Sequence, residues 1–508
     1  MQQAFRTALA PIFGLIAFPA HADLTAQQVW DEFVALAAEA GQMLTVAETT
    51  QDGGQLVLRG VESELSVPDA EVTLLIDEIT LTELGDGSVQ YAFSDSYPVS
   101  VSMAGTDGQN VDLTMEIRHP ELGMNVSGEP GALTYAYDAP TVEVDLQSLS
   151  IADQSVPADV SFSLDDVTGL YAVTGTDADS VVSQDLSIGT LSFLVSANVP
   201  DPEDPDGDPG IVDIDATIAD ITTVSEGSAS SLLGFGAGFG TLPDGFAATS
   251  ETKIGETNYS VRMEEDGQAM EFVGSAQSGF VESALSDGSV TYNSRSSDID
   301  FNISGSAIPL PELALSIAGA ATRFAMPLSP SDEAGDLVIG LDLNAIEIPD
   351  GLWGMFDAEG LLPRDPADIA LALSGKGRWL IDIMDPNLQP ESLTTPPGEL
   401  EELTLDSLRI AAAGAEITGN GAFTIDNSGV GAFGPAPQPV GQVDFTITGV
   451  NGLMQNLTAI GLLPEEQAMM GQMMLGMFAT PGSGPDTMMS KIEIDADGAI
   501  FANGQRIR

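Results

Sequence analysis

The chain has no cysteine in 508 residues. That excludes disulfides, thiolate nucleophiles, cysteine-based zinc sites and a lipid-modified N-terminal cysteine together. Histidine is nearly as scarce, with only His21 and His119. Neither a Gly-x-Ser-x-Gly elbow nor a His-Glu-x-x-His helix occurs, so a triad or a histidine metal site would rest on His119 alone. His119 lies in MEIRHPELG, before Pro120, and reads as a polar turn residue. Basic residues are few: 14 Lys+Arg stand against 77 Asp+Glu, a net charge of −63. Such a surface repels phosphate backbones, which excludes nucleic-acid binding, and it is pushed away from anionic membranes. After the N-terminus no run approaches the ~18 apolar residues of a membrane-spanning helix.

What is present begins with MQQAFRTALAPIFGLIAFPAHA, residues 1–22. One basic residue, an apolar run and Ala20-His21-Ala22 make a secretory signal peptide with cleavage expected after Ala22. The competing reading, an uncleaved anchor, suits so short a run poorly, since a span needs about 20 residues. The expected mature chain of 486 residues (508 − 22) is long enough to need two or more sub-cores and large enough to do without disulfides. Its 43% hydrophobic content argues against disorder despite the charge. The acidity suits a saline periplasm, because salt screens self-repulsion.

Thr25 to Ala40 has helical periodicity, with Thr25 and Gln28 as a capping box and Gly41 as the stop. Trp30 on this helix reads as a core anchor. From about residue 42 the period is two. QLVLRGVESELSV, EVTLLIDEITLTEL, TVEVDLQSLSI and VSFSLDDVTGLYAV alternate apolar with polar residues between Gly, Asp and Pro turn signals, which predicts antiparallel strands with one buried and one wet face. Gly87-x-x-x-Tyr91, Gly131-x-x-x-Tyr135 and Gly288-x-x-x-Tyr292 each precede such a strand and suggest a repeated hairpin unit with packing tyrosines.

A second repeat runs strand, short apolar helix, Leu-Pro turn. It occurs at LDLNAIEIP–DGLWGMFDAEG–Leu361-Leu362-Pro363 and at FTITGVNG–LMQNLTAIG–Leu462-Leu463-Pro464, the two Gly-Leu-Leu-Pro turns lying 101 residues apart (461 − 360). A looser copy includes SSLLGFGAGFG and Leu242-Pro243. The predicted fold is therefore mainly β with minor α: repeated antiparallel β-sheets with short covering helices. The expected organisation is 1–22 signal peptide, 23–200 N-terminal helix plus antiparallel β region, 201–210 acidic proline-rich loop, and 211–508 β region with the strand–helix–Leu-Pro repeats and a C-terminal helix and hairpin.

Candidate sites are few. Asp201, Glu203, Asp204, Asp206 and Asp208 in PDPEDPDGDPG offer clustered oxygen ligands for Ca²⁺, although Pro209 stands where an EF-hand loop wants glycine, and a solvated linker is the plainer reading. Phe235 and Phe239 in the glycine-rich segment, and Met473 and Met477 in the run Met469, Met470, Met473, Met474, Met477, are candidates for a lipid or partner surface. Helical spacing makes a core face the default for the methionines. Arg364, Lys376 and Arg378 are expected to pair with local carboxylates. A glycosidase-like carboxylate pair is not singled out by any pattern.

The runs GLLPEEQAMMGQMMLGMFA, SKIEIDADGAIFANGQRIR and LLPRDPADIALALSGKGRWLIDIMDP, with the leader followed by DLTAQQVWDEF, resemble the domain of unknown function 2125 family of exported alphaproteobacterial proteins across most of the mature chain. The resemblance implies a bacterial, periplasmic location and carries no catalytic residues. The strand–helix repeats are also loosely similar to large AsmA-type envelope proteins, a likeness at fold level only. The leading expectation is a non-enzymatic periplasmic protein that binds a lipid or protein partner on an apolar sheet surface. The alternatives are a cation-stabilised structural or adhesion-type protein and a carboxylate-dependent hydrolase.

Overall fold

The structure, a computed structural model, describes residues 23–39, 41–67, 70–105, 110–152, 154–175, 180–199, 209–228, 247–265, 267–286, 288–306, 308, 312–385, 388, 393, 396–428 and 437–508. Within them four helices accompany one sheet. The helices are α1 (Ala26–Glu39), α2 (Asp350–Phe356), α3 (Val450–Ala459) and α4 (Glu465–Phe478). The sheet starts with β1 (Gln42–Asp52), β2 (Gln55–Val67), β3 (Ala70–Glu83), β4 (Val89–Phe93), β5 (Ser96–Ala104), β6 (Asn110–Arg118), β7 (Gly123–Glu129), β8 (Ala132–Ile151), β9 (Gln154–Ser155), β10 (Ala158–Thr174) and β11 (Val181–Val199). It continues through β12 (Gly210–Ser228), β13 (Ala248–Ile254), β14 (Thr257–Glu265), β15 (Gln268–Ser286), β16 (Ser289–Gly305), β17 (Leu313–Pro327) and β18 (Gly335–Glu347). It ends with β19 (Ala367–Trp379), β20 (Gly398–Ala412), β21 (Ala415–Asp426), β22 (Gln438–Thr448), β23 (Thr480–Pro481), β24 (Thr487–Ile494), β25 (Ile500–Ala502) and β26 (Gln505–Arg506).

Alternating sequence and tight turns produce what they predict, an antiparallel meander in which most strands pair with a sequence neighbour. The expected series of sheets is one continuous 26-stranded sheet. Three rows are split: β4 and β5 share one edge of β3, β6 and β7 share one edge of β8, and β13 and β14 share one edge of β12. The sheet also runs unbroken past the acidic loop, because β11 and β12 pair from Val181↔Ser228 to Val199↔Gly210. Residues 200–209 join the two arms of a hairpin.

A seam crosses the sheet. Gly60, Asp166, Asp220, Asp298 and Ala345 all lie in mid-strand or near a strand end with positive φ, between +48° and +60°. The ladders skip them: Ile188↔Ile221 is followed by Thr190↔Ala219, and Ile299↔Ile317 by Ser297↔Gly319. Small residues face the kinks. A Cβ on Gly255 would lie 3.0 Å from the Asp220 Cβ and 2.8 Å from the Ala219 carbonyl.

The kinks reset the two-residue period, so the apolar positions change parity across them. In β10 they are Val160, Phe162 and Leu164 before Asp166, and Val167, Tyr171 and Val173 after it. A parity change would turn one half of each strand inside out in a regular sheet. At the seam it keeps both halves apolar on one side: Val142 and Leu164 from one half pack with Ala139, Val167 and Ile188 from the other.

Helix α1 roofs the first rows. The capping box forms, with the Gln28 amide donating to Thr25 Oγ1 at 3.2 Å and the Thr25 amide donating to Gln28 Oε1 at 3.0 Å. Val29 and Trp30 are buried against Leu56, Leu58, Ile79, Leu81 and Tyr91, and Trp30 stacks on Phe33. This is the larger of the two buried clusters of the described residues, and both lie within the part of the chain from Leu24 to β12.

Candidate functional site

Residues directly opposite each other in antiparallel strands share a face, so the register assigns each paired side chain to one side of the sheet. Followed from the core under α1, where Glu83 accepts from the Ala26 amide at 3.0 Å, the inner side carries few charges to the far end. Across the middle strands it carries Ser283, Tyr292, Phe324, Ile339 and Leu373, which are neighbours row by row, with Val281 two residues along from Ser283. It continues through Leu405, Gly421 and Val443 to Ile492. Beyond the seam it carries Phe193, Ala216, Tyr259, Gly274, Phe301 and Leu315. Among the described, paired residues of β12 to β24, Glu265 at the end of β14 is the one Asp, Glu, Lys or Arg on this side.

The charges are on the other side. Arg323 reaches Asp342, Lys376 meets Asp336 at 2.7 Å, Arg378 meets Glu399 at 2.7 Å, and Arg409 bridges Asp368 and Glu416. Arg364 meets Asp350 at 2.9 Å. The basic residues of this region thus find local carboxylates, as expected.

Where α1 ends, so does the roof. Tyr292, Phe324 and Ile339 lie side by side and are 38%, 39% and 50% exposed. At about 4.8 Å per strand, the rows from β12 to β24 extend roughly 50 Å. Aromatic rings lie over glycines on this side: a Cβ on Gly274 would sit 2.2 Å from the Tyr259 ring and one on Gly419 2.6 Å from Phe445. These flat pairs fill the surface without any charged group.

The two strand–helix–Leu-Pro units form as predicted and touch each other. Gly360 and Gly461 both take left-handed conformations, at φ +67° and +80°, which is why glycine recurs there. Asn456 Nδ2 on α3 donates to the Leu361 carbonyl at 2.9 Å. The sequence missed what holds each unit. Asp357 is wholly buried and accepts from the Leu361 and Leu362 amides at 2.8 and 3.0 Å. Burial pushes its carboxyl up, but those amides, the Gly360 amide and the nearby Arg364 outweigh it and hold it below the usual range. Asp486 likewise accepts from the Asn451 side chain at 2.7 Å and the Gly452 amide at 3.0 Å, at the start of α3. An acidic residue surrounded by seventy-odd others carries no sequence mark of such a role.

Helix α4 overturns the core-face reading of its methionines. Ala468, Gly471, Leu475 and Phe478 take the inward positions, while Met469, Met470, Met473, Met474 and Met477 are between 52% and 68% exposed. The helix ends against the uncharged side of β24, where Ser490 Oγ donates to the Phe478 carbonyl at 2.6 Å. Phe235 and Phe239 lie outside the described residues, as do Asp201, Glu203, Asp204, Asp206 and Asp208.

His119 opens the turn to Leu122, whose amide donates to its carbonyl at 3.2 Å, but its side chain is buried. It sits at the junction of β6 and β7, its ring 5.1 Å from Tyr97 and edge-on to Phe93, with Nε2 unpartnered. Burial lowers its pKa and keeps the imidazole neutral. Tyr171, whose phenol burial pushes up to about 12, and Tyr91 also keep unpartnered hydroxyls in the core under α1. Among the described residues no group of three or more His, Asp or Glu is placed to hold a metal ion.

Residues 266–505 match the family described as "Uncharacterized protein conserved in bacteria (DUF2125)". The chain resembles that family of uncharacterised bacterial proteins from the turn before β15 to β26. The match takes in both Gly-Leu-Leu-Pro units and leaves out DLTAQQVWDEF at the start of α1, so it covers less of the chain than those N-terminal residues suggest. No curated protein matches the chain. Among solved structures, the alcaligin outer membrane receptor FauA from Bordetella pertussis aligns with 91% of this chain and 68% of its own at 10% identity. Its TM-score of 0.18 is too low to support a common fold or function. Among the described residues no helix is long and apolar enough to cross a membrane.

Proposed function

We propose that this resemblance to a bacterial family marks a non-enzymatic envelope protein, exported to the periplasm, that holds lipid hydrocarbon chains along the uncharged side of its sheet. One observation carries the reading: a chain of net charge −63 keeps the paired charges of β12 to β24, apart from Glu265 at the end of β14, off one side and leaves that side largely unroofed. Contiguous exposed apolar surface beyond a few hundred Å² marks an interaction site in a water-soluble protein. Hydrocarbon is the occupant that needs no counter-charges in return, and hydroxyls on this side bond one another, as Thr223 does Thr252 at 3.0 Å and Ser294 does Thr322 at 2.7 Å. The extent of roughly 50 Å exceeds the ~15 Å of one bilayer leaflet, half of a 30 Å core, so several acyl chains fit along it.

The test is to purify the protein from its host envelope without detergent and to weigh it intact by native mass spectrometry. Bound species that extract into organic solvent as lipids support the proposal. A homogeneous apoprotein mass, with no lipid in the extract, overturns it.

A further inference from the structure

The outward side of α4 is chemically unlike the rest of the apolar surface. The sheet's inner side mixes Leu, Ile, Val, Phe and Tyr with Ser and Thr and carries methionine only at scattered positions such as Met263, Met270, Met326 and Met488, whereas the outward side of α4 uses only methionine as its large apolar residue. Met470, Met473, Met474 and Met477 stand at i, i+3, i+4 and i+7, with Met469 adjoining. Residues three and four apart on a helix have Cβ atoms about 5–6 Å apart, and three rotatable bonds let the sulfurs of neighbouring methionines converge. If apolar contact were the only requirement, leucine would serve as well at equal or better helix propensity. The sequence supplies sulfur instead.

We propose that this side of α4 binds a soft monovalent metal cation, Cu(I) or its analogue Ag(I), through thioether sulfurs alone. Thioethers are soft ligands that select Cu(I) and give hard ions such as Ca²⁺ and Mg²⁺ little. Exposure of 52% or more at all five methionines leaves the sulfurs open to solvent and free of packing duties. Glu465 and Glu466 in the first turn, one turn from Met469 and Met470, add negative charge beside the site. The field of a strongly acidic protein concentrates cations around it. No thiolate competes, because the chain has no cysteine, and His119, the histidine among the described residues, is buried at the junction of β6 and β7.

The proposal does not depend on lipid binding, and one set of variants separates the two. Methionine methyl groups are labelled with ¹³C in the full mature chain, and Ag(I) is titrated in chloride-free buffer. The expected result is that the methyl resonances of Met470, Met473, Met474 and Met477 shift together and saturate near one ion per chain. In M470L/M473L/M474L/M477L the ion's affinity falls by at least about tenfold, a loss of ~1.4 kcal/mol or more, while the melting temperature and lipid content stay as in the parent. Unmoved α4 methyl resonances at one equivalent, or unchanged affinity in the leucine variant, overturns the site. If the variant melts lower than the parent, M473L alone is read for the same loss, and parental affinity there overturns the site equally.

Discussion

Phe324 and Arg323 are consecutive residues of β17 on opposite sides of the sheet, and they make the sharpest test of the uncharged side. Phe324 is 39% exposed and sits between Tyr292 and Ile339. An aromatic side chain presents about 150–250 Å², so about 80 Å² of Phe324 remains for a ligand to cover. At ~25 cal/mol per Å² that area contributes about 2 kcal/mol, or about thirtyfold in affinity. Phe324→Ala should weaken binding of a fluorescent fatty acid by up to that factor, and Phe324→Asp, which places a charge where none exists, should weaken it further. Arg323→Ala removes only an exposed ion pair with Asp342 at 3.7 Å, worth ~0–1 kcal/mol to stability, and should leave binding unchanged. The assay is fluorescence displacement by unlabelled fatty acid, with circular dichroism to check the fold. Parental affinity in Phe324→Asp, or equal losses in the Arg323 and Phe324 variants, refutes the assignment of sides.

Three further outcomes follow from the same geometry. Asp220 lies at φ +49°, a conformation that costs an L-residue roughly 1–2 kcal/mol; Asp220→Val should lower stability in urea by about that much and Asp220→Gly by almost nothing, and equal effects would mean that the seam carries no backbone strain. His119 has a folded pKa below its unfolded value, so its contribution is complete above the unfolded pKa of about 6.5 and is lost as the pH falls through the folded value; His119→Phe should flatten that part of the stability–pH curve, and parallel curves would contradict the buried neutral imidazole. Asp357 also has a depressed pKa, so its support is present above about 3.9 and disappears as the pH falls through the folded value; Asp357→Asn should lower the melting temperature at pH 7 and narrow the gap between pH 7 and acid, and an unchanged melting temperature would count against its role in the turn.

Much of the architecture was legible from composition and spacing. Alternating segments between Gly, Asp and Pro turns specify one-sided antiparallel strands whatever their partners, because a two-residue period has no other way to bury its apolar half. The capping box, the Leu-Pro units and the tyrosine turns were equally local: Gly87, Gly131 and Gly288 all adopt positive φ, and Tyr91 and Tyr135 pack in the core under α1 while Tyr292 lies on the open part of the same side. A mark of the seam was present too, though it takes the structure to read it. Apolar residues step by three across the kinks, at Leu58–Val61, Leu164–Val167, Ile188–Leu191, Ile218–Ile221 and Leu343–Ile346, where an unbroken strand steps by two.

Other features belonged to the tertiary structure alone. Helical spacing identified the methionine face of α4 but not its direction, because a stripe looks the same whether it meets a sheet or water; only the inward packing of Ala468, Gly471, Leu475 and Phe478 turned it outward. Asp357, Asp486 and the burial of His119 depend on amides and rings brought from other segments, so no local pattern announces them. Periodicity set the polarity of each strand by itself, since side-chain direction follows from backbone geometry one residue at a time. Whether those strands close into many small sheets or join into one, and how much of its apolar side stays open, was decided by long-range pairing, which depends on contacts between residues far apart in the chain.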